Sequence, residues 1–283
     1  MLKFICAIAF SLAFPLLAAE PVVFVQMTDP QLGMGAKGYA DDLAKLQQAV
    51  EQANKLNPSF TVVCGDVTDK WTKEAGTDVA GSLKKLTSPW YLAPGNHDGW
   101  KTPEYTPLFG ADRRLVEAPG LTLIVINTDL WKGTDAVAGD AEIKWLEEAL
   151  VKAADRKLPI IVAGHHPLFV GGADKSSGVA AANSHPLLAM AVDEAESYHN
   201  LPPLRRNVIL ALFEKYKVAA YLSGHMHYSA TGTYHGITLV SCPSLAKNFS
   251  GEKPGFYLWR LDANAKLTYE YVPLAKTSTA KAP

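Results

Sequence analysis

Short, almost continuously apolar runs alternate with amphipathic stretches along most of the chain. That is the pattern of strands buried on both faces and joined by helical crossovers. Five runs stand out, at residues 22–27, 60–64, 90–93, 160–163 and 218–222. The stretches between them carry apolar residues at helical spacing. Leu43, Leu46, Val50 and Ala53 form one stripe within 41–56, Ile143, Leu146 and Leu150 a second within 140–154, and Val208, Leu212 and Phe213 a third within 204–216. Strands linked in this way pair in parallel. The last third changes character: strand-like runs at 230–234, 237–242, 255–261 and 267–272 are joined by short turns such as His235-Gly236, which predicts an antiparallel meander. The expected fold class is α/β, with one domain over residues 20–274.

Both termini stand outside that pattern. Met1 to Lys3 is a short basic start, residues 4–17 are apolar apart from Ser11, and Leu17-Ala18-Ala19 precedes Glu20. This predicts a secretory signal peptide over residues 1–19, and hence export to a periplasmic or extracellular location. The run is shorter than the roughly 20 residues a bilayer span needs, so no membrane association is expected after cleavage. Residues 275–283 read as a polar, flexible tail. Export implies an oxidising compartment, but the remaining cysteines, Cys64 and Cys242, both sit inside apolar runs and are expected as free core thiols.

At 283 residues, 48% hydrophobic and 19% charged with a net charge of −1, the chain is an ordinary globular protein and not a disordered one. Near-neutral charge supplies no broad field for a nucleic-acid backbone. Any phosphate must be met locally. A monomer or small oligomer is expected.

The candidate chemistry follows directly after the five apolar runs: Thr28-Asp29-Pro30-Gln31, Gly65-Asp66-Val67-Thr68-Asp69, Gly95-Asn96-His97-Asp98, Gly164-His165-His166-Pro167 and Gly224-His225-Met226-His227. Residues just beyond the carboxyl ends of parallel strands converge at one rim, where ligand sites form. The gathered donors are carboxylates, an amide oxygen and imidazoles, without thiolates. Such a set suits Mn, Fe or Zn better than Ca and is too rich in His for a simple Mg site. There are too many donors for one ion, and a carboxylate such as Asp66 can bridge two. Paired cations activate water and clamp phosphoryl oxygens in phosphatases and nucleases.

In order and spacing these five motifs resemble the calcineurin-like metallophosphoesterase superfamily, from about Val22 to Tyr271. Asp29-Pro30-Gln31-Leu32-Gly33, Asn54-Lys55-Leu56-Asn57-Pro58, His165-His166-Pro167-Leu168-Phe169, and Ser223-Gly224-His225-Met226-His227 followed by Gly232-Thr233-Tyr234 look most like its CSTP-like, or calcineurin-like phosphoesterase domain-containing, branch. Eukaryotic members of that branch are described as protein Ser/Thr phosphatases. The resemblance implies a four-layer α/β/β/α sandwich, with the meander forming much of the second sheet. It also implies a first metal held by Asp29, Asp66 and His227, and a second held by Asp66, Asn96, His165 and His225. His97 would contact the phosphate and protonate the leaving oxygen while a bridging hydroxide attacks phosphorus. The family's His-x-Pro pattern selects His165 over His166.

Two positions stay open. The first motif usually reads Asp-x-His, and Gln31 stands in the third place. Its amide oxygen either ligates, favouring Mn or Mg as a weaker donor, or hydrogen-bonds a water. Asp69 is expected to orient His97 through its carboxylate, with direct ligation or turn capping as alternatives. Residues 171–203 form an insertion at the catalytic rim, and Arg205 or Arg206 just beyond it is a candidate for forking onto phosphate. Asn96, His97 and Arg205 are thus the candidate substrate contacts; Trp71, Trp100 and Trp131 could line a cleft, but core or rim packing is the commoner role. The expected function is metal-dependent hydrolysis of phosphate monoesters, with a phosphodiesterase or a non-enzymatic metal-binding protein as alternatives.

Overall fold

A computed structural model describes residues 21–133, 135–168, 179–183 and 201–275, with only the backbone described for 179–183, 203 and 204. The expected signal segment, most of the tail and most of the insertion, with His185 and His199, lie outside the described residues. The elements run β1 (Val22–Met27), α1 (Tyr39–Lys55), β2 (Phe60–Cys64), α2 (Lys73–Leu83), β3 (Trp90–Ala93), α3 (Tyr105–Phe109), β4 (Arg114–Ala118), β5 (Leu121–Val125), α4 (Asp129–Lys132) and α5 (Ala136–Asp155). They continue with β6 (Ile160–Ala163), β7 (Val179–Asn183), α6 (Pro203–Lys215), β8 (Val218–Ser223), β9 (Ala230–Tyr234), β10 (Ile237–Ser241), β11 (Gly255–Leu261) and β12 (Leu267–Pro273).

These strands form two sheets, one ordered β12-β11-β1-β2-β3 and the other β4-β5-β6-β8-β10-β9-β7. β1, β2 and β3 pair in parallel, as do β5, β6, β8 and β10. The first sheet is thus parallel from β1 to β3 and antiparallel at its β11–β12 margin, and the second is parallel at its centre and antiparallel at both margins. The sequence expectation of one C-terminal meander is corrected. β9 and β10 join the second sheet, with β10 parallel to β8, whereas β11 and β12 cross over to the first, β11 pairing antiparallel with β1 and β12 with β11. Residues 242–254 between the two hairpins are long enough to carry the chain from one sheet to the other, which a short turn cannot do.

Packing explains the layers. The inner faces meet in one core that includes Phe24, Phe60, Val125, Ile161, Leu222 and Trp259, with Phe24 stacked between Phe60 and Trp259 at centroid distances of 4.8 and 5.7 Å. Val25, Met27, Val63 and Leu258 face outward and are covered by Leu46, Val50, Val79 and Leu83 of α1 and α2. Ile124, Val162 and Tyr221 on the other sheet are covered by Leu146, Leu150, Ile209 and Phe213 of α5 and α6. Each fully buried Leu or Phe contributes about 1.5–3 kcal/mol on transfer from water. The result is the expected α/β/β/α sandwich. A buried amide ties its sheets together: Gln26 Nε2 donates to the Ser223 carbonyl at 2.9 Å, and Gln26 Oε1 accepts from Trp259 Nε1 at 3.0 Å. Cys64 and Cys242 are free and buried.

Candidate metal centre

The five motif loops leave β1, β2 and β3 of one sheet and β6 and β8 of the other, so the centre straddles the sandwich instead of lying along a single rim. Backbone bonds lock the loops together. Asp29 N–H donates to Gly65 O at 3.0 Å, Gln31 N–H to Asp66 O at 2.9 Å, and Gly224 N–H to His165 O at 2.9 Å. Their turns are sharp. Among the described residues, ten non-glycine residues have positive φ, and Asp29, Gln31, Asp66, His225 and His227 are five of them. Such conformations are costly and persist where the surroundings impose them, often at functional sites. Gly65 has φ +79°, and a Cβ there would come within 2.5 Å of His165 Nδ1. Only glycine lets that imidazole approach.

The side chains fall into two groups that share Asp66 and His165. His165 Nδ1–H donates to the Cys64 carbonyl at 2.8 Å, which leaves Nε2 free; that atom lies 3.2 Å from Asp66 Oδ2 and 3.0 Å from His225 Nδ1. Likewise His227 Nδ1–H donates to Lys247 O at 2.8 Å and turns Nε2 toward Asp29 Oδ1, 3.5 Å away. Fixing one imidazole nitrogen on a carbonyl is how proteins present the other to a metal. Burial penalises charge on Asp66, yet the His165, His97 and His225 imidazoles hold its carboxyl down to about 2. Burial likewise opposes protonation of His165, but the Asp66 and Asp29 carboxylates push it up to about 10. His227 is raised in the same way, its burial outweighed by Asp29.

These residues fit a metal pair. Asp29 Oδ2 is bonded by Thr28 Oγ1 and the His225 N–H, whereas Asp29 Oδ1 and Gln31 Oε1 are buried oxygens that accept no hydrogen bond. Buried acceptors are rarely left bare, and cations satisfy them. Ligand atoms of Asp29, Asp66 and His165 lie within 4.8 Å of one another, as do those of His165, His166 and His225. His166 nevertheless gives Nδ1 to Thr128 Oγ1 at 3.0 Å, and burial beside His225 and His165 holds its protonation well below the ordinary range. It packs as a neutral ring.

His97 lines the same cleft, and the agent that orients it differs from expectation. Its Nδ1 sits 2.7 Å from the backbone carbonyl of Asp69, not from the carboxylate. The tight turn after Asp66 brings the main chain closer than the side chain. A carbonyl only accepts, so Nδ1 carries the hydrogen. Asp98 clamps the loop, its Oδ1 accepting from Val67 N–H and its Oδ2 from Gly95 N–H, both at 2.8 Å. Burial and the nearby Asp66 charge push its carboxyl up to about 7.

Two further expectations are corrected. Asn96 is exposed and does not line the cleft, and the Gly95 and His97 N–H groups on either side of it are fixed on Asp98 and Asp66. Arg205 is also outside: α6 docks on α5, where Asp140 and the Ala136 carbonyl take its guanidinium. The tryptophans pack instead of lining the cleft. Trp131 is buried beneath the second sheet, Trp71 and Trp100 lie against the first core, and Trp100 Nε1 donates to Asp129 at 3.0 Å.

One functional element was missed altogether, the strap at 242–254. Ser244 Oγ donates to Asp29 O at 2.8 Å and accepts from the Ala246 and Lys247 N–H groups, while Leu245 N–H donates to Thr28 O. Lys247 O holds His227, and Phe249 N–H donates to His227 O at 3.0 Å with its ring stacked on that imidazole. Its polar residues resemble any loop, so the Pro243-Ser244 start after an apolar run was the only local signal.

A buried cluster of carboxylates and imidazoles, gathered at strand ends across an α/β/β/α sandwich, defines a metal-dependent hydrolase. The family model described as calcineurin-like phosphoesterase matches residues 22–229, and the chain belongs to that family. It is accordingly a metallophosphoesterase, a hydrolase acting on phosphoric esters, and the family implies a dinuclear centre. The chain is 27% identical over 287 residues to serine/threonine-protein phosphatase CPPED1 of Rattus norvegicus, an alignment covering 91% of this chain and 86% of that one. It is 24% identical over 237 residues to a probable glycerophosphodiester phosphodiesterase GpdQ of Arcobacter nitrofigilis, covering 79% and 78%. A solved dimetal phosphatase from Danio rerio shares the fold, with a TM-score of 0.58 at 12% identity over 90% of this chain and 100% of that one.

Proposed function

We propose that this protein is an exported phosphatase that hydrolyses phosphate monoesters of a phosphoprotein or small molecule. Asp29, Gln31, Asp66 and His227 would hold one ion, and Asp66, His165 and His225 the other. The mixed oxygen and nitrogen donors favour Mn, Fe or Zn, with Mg admissible beside Gln31. Bound there, such ions would polarise the phosphoryl oxygens and lower the pKa of a water. The chain's own contribution is proton delivery. The observation that carries this reading is the His97 bond to the Asp69 carbonyl at 2.7 Å. It fixes the ring in the cleft with Nε2 as the nitrogen from which a proton can pass to the leaving oxygen. A protein that only binds metal has no use for a positioned donor.

The CPPED1 relatives, named as serine/threonine phosphatases, support monoester hydrolysis, and the glycerophosphodiesterase relative supports a diesterase as the second reading. The test strips the purified protein of metal, reloads it with Mn and compares p-nitrophenyl phosphate with its bis-ester. Metal-dependent turnover that favours the monoester is expected. Preference for the bis-ester would replace the phosphatase by the diesterase. No turnover with two ions bound would favour the binding role. Export rests on the apolar run at residues 4–17. It is checked by finding a chain that begins near Glu20 outside the cytoplasm, and an uncleaved cytoplasmic chain would refute it.

A further inference from the structure

The cleft over the candidate centre has a volume of about 390 Å³, more room than a phosphoryl group requires. Its lining combines two chemistries: Gln31, Asp66, Asp69, His97, His225 and His227 are polar, and Met34, Met226, Tyr228 and Phe249 present thioether and aromatic surface. Among the described residues, no Lys or Arg lines it. The Lys247 ammonium lies over the Phe249 ring, 5.1 Å from its centroid, and an apolar leaving group would be desolvated against thioether and aromatic surface.

The wall is built, not incidental. In His225-Met226-His227-Tyr228 the histidines turn to the centre while Met226 and Tyr228, 3% and 4% exposed, pack together behind them. Phe249 is 52% exposed, which is unusual for a phenyl ring, yet its backbone is fixed to His227 O and its ring lies on the His227 imidazole at 5.2 Å and 20°. An apolar ring held rigidly at a cleft mouth marks a contact surface. Since the leaving oxygen must come within reach of His97, the group attached to it occupies this same cleft.

We infer that the protein selects monoesters whose leaving group is aromatic, an aryl phosphate such as a phosphotyrosine side chain, with Met34, Met226, Tyr228 and Phe249 receiving the ring. This rests on the phosphatase reading above and adds its substrate class. The test uses phosphonates, which cannot be hydrolysed and so separate ring recognition from leaving-group reactivity. Calorimetry on the Mn-loaded protein compares phenylphosphonate with methylphosphonate, and kcat/KM is measured on phosphotyrosine and phosphoserine in one peptide frame. Phenylphosphonate is expected to bind about tenfold tighter or more, as a hydrophobic pocket allows. In Phe249→Ala, and separately in Met34→Ala, that ratio should fall severalfold, with methylphosphonate affinity and metal content unchanged in Met34→Ala. Equal affinities for the two phosphonates in the wild type, or a ratio unmoved in both variants, would overturn the inference. Retained phenylphosphonate preference without hydrolysis of any monoester would support the wall and instead remove the phosphatase reading.

Discussion

The two halves of the centre are built from the same residue types but satisfied differently. Asp66, His165 and His225 contact one another, with His165 Nε2 3.2 Å from Asp66 Oδ2 and 3.0 Å from His225 Nδ1. Asp29 and His227 are instead fixed from outside by Thr28, Ser244 and Lys247, and with Gln31 they leave two buried oxygens without a hydrogen bond. Both halves set a raised imidazole against a carboxylate, but the second also keeps bare acceptors. Metal binding is therefore a competition with protons in both, and in the second also the filling of a prepared acceptor site.

The largest effect on that comparison should come from Asp66→Asn, since Asp66 serves both halves. Turnover should fall by about 10³-fold or more, with fewer than two ions retained by elemental analysis. Retention of both ions would mean that the halves do not depend on a shared carboxylate. His97→Ala should lower kcat by about 10²- to 10³-fold while both ions stay bound, because His97 belongs to neither half. Metal loss matching that of Asp66→Asn would refute the division. Gln31→His alters only the bare-oxygen half and should raise affinity for Zn relative to Mn by about tenfold in competitive titration. Unchanged selectivity would show that Gln31 does not touch the ion.

The smallest effect is on stability. In metal-free protein the raised His165 contributes fully below its unfolded value of 6.5, and that contribution is lost as pH rises through about 10. The depressed Asp66 contributes fully above 3.8, and its contribution is lost as pH falls through about 2. Metal-free Tm should thus drop by roughly 5 °C as pH rises from about 6.5 toward 10. Loading metal should raise Tm more at pH 9 than at pH 6, and a pH-independent gain would deny the proton competition.

Much of this arrangement was legible in advance. The runs read as strands coincide with β1, β2, β3 and β6 and stop one residue short in β8, because continuous apolar runs mark strands buried on both faces. α2 was not read, since Ala75, Gly76 and Ala80 on its buried side give a weak apolar stripe. The β4–β5 hairpin was passed over despite the Pro119-Gly120 turn, because β4 is only half-buried. The partition of strands between two sheets was hidden for a different reason. It depends on pairings such as Val22 with Leu261, which no local pattern records. At the centre, motif spacing located the donors, but hydrogen bonds through main-chain carbonyls, as at Asp69 and Lys247, carry no residue-type signature.

The strap has a temporal consequence. Among the described strands β1 is synthesised first but sits in mid-sheet, flanked on one side by β2 and on the other by β11, whose residues follow the strap. Until residue 261 has emerged, Asp29 lacks the Ser244 bond behind it and His227 lacks Lys247. A polypeptide ending before the strap would therefore lack both the groups that fix Asp29 and His227 and the β11 residues that complete the cores.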